Sequence, residues 1–206
     1  MKLAILASLL ASAAAFAPAS QKVSSTALNA FEEEVGVQKP LGYWDPLNLL
    51  MDADKDRFDR LRYVEIKHGR IAMLAVLGHI TTSSGNCFGG TIDKSGLEFS
   101  SIKTGLAGLS SIPTEGLIQI IAFIGFLELF VMKDVKGTGE FPGDLRNGFD
   151  LGLWDKWFTE EQKAQKRAIE LNNGRAAQMG ILGLMVHEKI GGDPYIINEL
   201  LGYHTV

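Results

Sequence analysis

An all-α membrane protein is predicted: three transmembrane helices, the first and third forming a crossed pair related by a pseudo-two-fold axis. Three observations predict it. Residues 65–80 (EIKHGRIAMLAVLGHI) return as residues 170–185 (ELNNGRAAQMGILGLM), at a constant offset of 105 residues. Each copy sets Glu, a His or Asn, Gly and Arg at the head of an apolar helical run. Between the copies, residues 114–132 form the most apolar stretch of the chain. Ionisable residues beside membrane-grade apolar sequence are costly and usually functional, and internal duplication predicts copies related by approximate symmetry.

The repeat reaches upstream of the helices. Trp44-Asp45 maps onto Phe149-Asp150, Leu49 onto Trp154 and Arg62 onto Arg167. The unit is therefore an aromatic–Asp loop, a charged lead-in and a helix. The first span is expected over residues 58–84, apolar at 71–82, and the third over residues 160–190, apolar at 176–186. Both exceed the ~30 Å hydrocarbon core and should tilt and protrude. Residues 85–113 read as a Gly/Ser-rich loop on one face, and residues 137–152 as the second loop. Arg57, Arg60, Arg62 and Lys67 sit at the start of span one, Lys133 and Lys136 follow span two, and Lys163, Lys166 and Arg167 precede the apolar part of span three. With three spans these fall on one side, which the positive-inside rule orients.

Composition sets bounds. Hydrophobic residues make up 46% of the chain and mean hydropathy is only +0.10, so a polytopic chain of this length must carry sizeable polar loops. A single cysteine, Cys87, excludes an internal disulfide and a multi-cysteine metal site. The net charge of −4, with no basic patch interleaved with aromatics, gives no sign of nucleic-acid binding.

On a helix turning about 100° per residue, Glu65 and His68 lie about 60° apart, whereas Arg70 stands about 140° from Glu65. Each membrane charge needs a partner, and exchange supplies one: Glu65 with Arg175, Glu170 with Arg70. Gly69 and Gly174 would let the helices approach closely where they cross. The same donors admit a metal, a proton relay or a pigment. Bare zinc needs three or four converging ligands, whereas a Mg²⁺ already held in a macrocycle needs one axial donor, and imidazole, amide oxygen or carboxylate all serve. Further candidates are Glu128 and Gln119 on the second span, His79 on the face of His68, and His187 near the end of span three. No acid or base precedes Glu128 within ten residues, so a metal contact is a suitable partner for it. Gln178 lies off the ligand face, and Met73, Met179 and Met185 read as packing.

ExxHGR and ExxNGR on the first and third of three membrane helices, with Glu in the second, resemble the light-harvesting chlorophyll-binding superfamily. The segments YVEIKHGRIAMLAVLGH, QIIAFIGFLELFVMKD and RAIELNNGRAAQMGILGLMVHE resemble the fucoxanthin–chlorophyll a/c proteins of diatoms and related algae, and the likeness runs over residues 31–191. It implies that Glu65, His68, Glu128, Glu170, Asn173 and His187 are axial ligands to chlorophyll Mg. Arg70 and Arg175 become the exchanged counter-ions, each also able to hydrogen-bond a pigment carbonyl. His79 and Gln119 remain candidates from the residues alone. The two aromatic–Asp loops match where the family seats carotenoid end-groups, although Leu151 stands where the first copy has Pro46. The implied cofactors are chlorophyll a, chlorophyll c and fucoxanthin, with diadinoxanthin as a further carotenoid. The implied function is light capture with transfer of excitation to a photosystem, and no enzymatic role. The implied partners are a photosystem core, other antenna subunits and thylakoid lipids.

Residues 1–30 read as targeting sequence: Lys2, an apolar run at 3–10, small residues at 11–15, then Ala15-Phe16-Ala17-Pro18 and an acid-free Ser/Thr-rich stretch. This resembles the bipartite presequence of red-alga-derived plastids, the alternative being a plain secretory signal. The pigment-binding domain would then span residues 31–206. Within the family, a stress-type member that dissipates excitation is the alternative, for which Asp93 and Glu98 would be lumenal acids. A membrane proton or ion carrier using Glu65, His68, Glu128 and Glu170 is another. A soluble enzyme has no phosphate loop or nucleophile–base pair to support it.

Overall fold

The computed structural model describes residues 31–51, 53–134, 139–147 and 151–191. The expected presequence, Lys136 and the second aromatic–Asp pair, Phe149-Asp150, lie outside them. The chain divides into two compact units at Ala53/Asp54. In the first, Asp45 accepts the backbone N–H groups of Leu49 (3.1 Å) and Leu50 (2.8 Å), which fixes the loop after Trp44. Trp44 itself is 68% exposed.

The second unit is helical. Its elements are α1 (Lys55–Ser83), α2 (Gly108–Ser111), α3 (Thr114–Phe126) continued by a π-helical turn (Leu127–Val131), α4 (Leu153–Trp157) and α5 (Glu160–Gly191). Among the described residues there is no strand, only isolated bridges such as Thr91↔Glu98. The two long helices begin at equivalent places in the repeat. Asp54 caps α1 by accepting from Arg57 N at 2.9 Å. At the same offset, Thr159 Oγ1 accepts from Gln162 N (3.4 Å) while Gln162 Oε1 accepts from Thr159 N (3.0 Å), a capping box at the head of α5. The duplication therefore includes the caps that start the helices.

α1 and α5 pack on each other. Their small core holds Phe58, Ala72 and Leu171, with Gly69 and Gly174 buried at the contact. α3 with its π turn is different. Its 18 residues have a hydropathy of 1.8, and none of that stretch is buried. Phe123, Ile121 and Phe130 are each at least 60% exposed, an apolar surface that water would not tolerate bare. By length and composition it is the one helix among the described residues apolar enough to cross a membrane. The charged first halves of α1 and α5 keep them outside that criterion.

Residues 85–113, expected as a loop, contain helical turns at Phe99–Ser101 and Gly105–Ala107 as well as α2. Glu188 near the end of α5 accepts from Leu106 N (2.8 Å) and Ala107 N (3.3 Å), a carboxylate fixing the start of a short helix. That contact lies at the end of the helix pair remote from Glu65 and Glu170.

Candidate functional site

The site is built around the crossing of α1 and α5. A Cβ placed on Gly69 would stand 2.9 Å from the Gly174 Cα, and one on Gly174 would stand 3.0 Å from the Gly69 Cα. Backbone meets backbone there, so any side chain would force the helices apart. At that spacing the charged residues reach across. Arg175 Nε donates to Glu65 Oε1 at 2.7 Å, and Arg70 Nε donates to Glu170 Oε1 at 2.6 Å. The two pairs are reciprocal, as the helical angles and the duplication predict. All four side chains are half-buried, 29–40% exposed.

Each carboxylate also has its own surroundings. Arg62, one turn before Glu65, donates to its second oxygen at 2.5 Å. Arg167 is the equivalent residue before Glu170, but its guanidinium lies over the Phe141 ring, 4.7 Å from the centroid, and its Nε is buried with no hydrogen-bond partner. Glu170 Oε2 thus carries no hydrogen bond among the described residues. Arg70 has a second anchor, donating through Nη1 to Gly143 O at 2.8 Å. Gln178, set aside by its angle from Asn173, sits on the crossing face, where its Nε2 donates to Glu65 O at 3.3 Å.

His68 is exposed, and its Nδ1 stands 2.8 Å from Val64 O. A carbonyl can only accept, so Nδ1 carries the proton and Nε2 presents its lone pair outward. Asn173, at the equivalent place on α5, is also exposed. Gln119 is exposed on α3, and His187 is exposed near the end of α5. His79 borders an apolar cleft of about 380 Å³ between α1 and α5 with Leu106, Met185 and Glu188. Its Nε2 is 3.4 Å from Ser83 Oγ, which makes it the less available imidazole. Among the described residues no three His, Cys, Asp or Glu side chains converge as a bare metal would require.

Glu128 corrects the sequence reading. It is not a lone carboxylate: Lys67 of α1 reaches it, Nζ to Oε2, at 2.5 Å. Its own helix offers no cation, and the partner comes from another one. Lys67 was legible only as an unduplicated base, since the equivalent position on α5 is Asn172.

Outside the long helices, Asp144 accepts from the Arg146 backbone and guanidinium and from Glu140 N. The Arg146 guanidinium above all holds its carboxyl down to about 2. In the loop 85–113, Asp93 is held below its usual range by the Ser95 hydroxyl and then by the Leu97 N–H.

The family model described as "Chlorophyll A-B binding protein" matches residues 31–189. The chain is 62% identical over 205 residues to "Fucoxanthin-chlorophyll a-c binding protein, chloroplastic" of Trieres chinensis, covering 97% of this chain and 100% of that protein. It is 62% identical over 194 residues to "Fucoxanthin-chlorophyll a-c binding protein A, chloroplastic" of Phaeodactylum tricornutum, covering 93% and 97%. To the A protein of the same name in Macrocystis pyrifera it is 57% identical over 185 residues, covering 89% and 84%.

Proposed function

This chain belongs to the chlorophyll A-B binding protein family, and from that membership we propose that it is a light-harvesting antenna protein of the plastid. It binds chlorophyll a, chlorophyll c and fucoxanthin, with diadinoxanthin as a further carotenoid. It resides in the thylakoid membrane through three spans, α1, α3 with its π turn, and α5. When bound, the pigments supply the photochemistry: they absorb light and pass excitation among themselves toward a photosystem. The chain's residues fix position, orientation and polarity.

The observation that carries this reading is the reciprocal exchange of Glu65–Arg175 and Glu170–Arg70 over a glycine crossing. Charges neutralised in this way make α1 and α5 less polar than a residue-by-residue hydropathy sum implies, which supports their placement as spans. A neutralised carboxylate keeps a donor oxygen without the cost of a bare buried anion. Glu170 Oε2, Glu65, Glu128, His68 Nε2, Asn173 and His187 are single oxygen or nitrogen donors, the set that an axial contact to macrocyclic Mg requires. Arg70 and Arg175 serve as counter-ions, and His79 and Gln119 as secondary donors. The Trp44-Asp45 loop would hold a carotenoid end-group, with Phe149-Asp150 its counterpart. Photosystem and neighbouring antenna subunits are the partners in this reading. No catalytic role is proposed, and residues 1–30 remain a proposed plastid presequence.

The test is pigment extraction and fluorescence excitation spectroscopy of the complex purified from native membranes. Chlorophyll a, chlorophyll c and fucoxanthin, with fucoxanthin absorption exciting chlorophyll a emission, are expected. A colourless protein would overturn the reading.

A further inference from the structure

The duplication accounts for Glu65 and Glu170, the two acids paired across the helix crossing. Glu128 has no twin, and so no twin's arginine. Three features of the structure surround it. Lys67 extends from α1 to its Oε2 at 2.5 Å, both side chains half-buried at 30% and 33% exposed. The backbone at Glu128 is the π turn Leu127–Val131, closed by Met132 N donating to Leu127 O at 2.7 Å. Such turns shift the register of a helix and occur often at functional positions; this one carries Glu128, whereas the helix's other acid, Glu115, stands in its first turn. Finally, Lys67 interrupts the repeat, since Asn172 occupies the equivalent place on α5, where no third acid has to be met.

We propose that Lys67 is the positioning residue of a third charge-neutral donor site, holding the Glu128 carboxylate for axial contact with a tetrapyrrole Mg. The proposal rests on the reading of Glu128 as a pigment ligand. An ammonium at hydrogen-bond distance offsets the carboxylate's charge and fixes one of its oxygens, leaving the other as a donor. It also joins α3 to α1 through a charged contact, on a helix whose own side chains are not buried against the pair. Lys67 has further N–H groups after Glu128 is served, which are available to an oxygen substituent of the same pigment.

Removing one partner of such a pair strands the other, whereas removing both charges together does not. That asymmetry separates a positioning role from generic packing. The full chain is refolded in detergent with chlorophyll a, chlorophyll c and fucoxanthin, and bound tetrapyrrole per polypeptide is counted beside the visible circular dichroism. E128L is expected to lose one tetrapyrrole and K67Q the same one, with matching difference spectra. K67R keeps it. The double variant K67Q/E128Q regains it, because an amide oxygen donates without needing a counter-ion. A full complement in E128L overturns the Glu128 donor and this proposal with it. Loss in E128L with none in K67Q, or no recovery in the double variant, overturns the role of Lys67 alone. Should K67Q fail to refold, the double variant decides: a full pigment complement supports the proposal and failure overturns it.

Discussion

Glu65 and Glu170 hold the same place in the two copies of the repeat, yet they differ in what surrounds them. Glu65 takes two guanidinium groups, Arg175 on one oxygen and Arg62 on the other. Glu170 takes one, Arg70, and keeps its second oxygen uncommitted among the described residues. The cause lies in the loop before α5. Arg62 lies over the Phe58 ring of its own helix and still reaches Glu65, whereas Arg167 lies over Phe141 of that loop and forms no bond to Glu170. Arg70, by contrast, is held a second time by Gly143 O. Duplication therefore fixed the exchange, while the non-repeated loop made the halves unequal. The upstream loops differ as well: Leu151 adopts φ +53°, a conformation that proline's ring forbids, which explains why it cannot reproduce Pro46.

The largest consequence concerns the counter-ions. Arg70→Leu leaves Glu170 without a cation, whereas Arg175→Leu leaves Glu65 still paired with Arg62. The first should cost about 3 kcal/mol of stability, the low end of the range for a stranded buried charge because both side chains are half-exposed. The second should cost clearly less. Thermal unfolding of the reconstituted complexes, followed by far-ultraviolet circular dichroism, measures both, and equal losses would break the comparison.

A smaller effect belongs to the loop side of copy two alone. The Asp144 carboxyl is depressed to about 2 by Arg146. A depressed carboxylate stabilises the fold fully above its unfolded value of about 3.8, and that contribution, on the order of 2 kcal/mol, is lost as pH falls through about 2. Wild type should therefore lose stability between pH 4 and pH 2, and Asp144→Asn should be lower at pH 6 and show less of that fall. A D144N curve that parallels wild type would detach the loop from this account.

The smallest expected effect falls on Arg62. Arg62→Gln removes the second guanidinium from Glu65 and makes copy one resemble copy two, at a stability change under about 1 kcal/mol. Pigment retention during detergent titration should rise or hold, because a carboxylate with one counter-ion is the stronger donor. A selective loss of pigment would instead make Arg62 part of the binding site.

Asp93 bears on the alternative of an energy-dissipating member. Its carboxyl is held below the usual range by Ser95 and Leu97, so acidification to pH 5 leaves it ionised, and a pH-triggered response would have to come from other groups.

Legibility followed distance along the chain. The exchange of Glu65 with Arg175 and the glycine crossing could be read from spacing, because a helix converts residue number into angle and the duplication supplies the second helix for free. The equivalent, exposed placement of His68 and Asn173 was legible for the same reason. Arg62 beside Glu65 is one helical turn away and could have been found from that spacing. Lys67 beside Glu128 could not, since they lie on different helices, and neither the repeat nor the helical period relates them. The three-span reading drew on the same local patterns, yet among the described residues only Thr114–Val131 is apolar enough by length and composition to cross a membrane, because the first halves of α1 and α5 are charged.

The amino-acid sequence by itself determined the two long helices, the duplication and the crossing with its exchanged charges, all of which are set by local periodicity and present in both copies. Only the tertiary structure decided which cation meets Glu128, why Arg167 leaves Glu170, and where the loop grips Arg70. Those choices depend on how unrepeated segments lie against the helix pair, and no single stretch of chain carries the distance between two elements that are far apart along it.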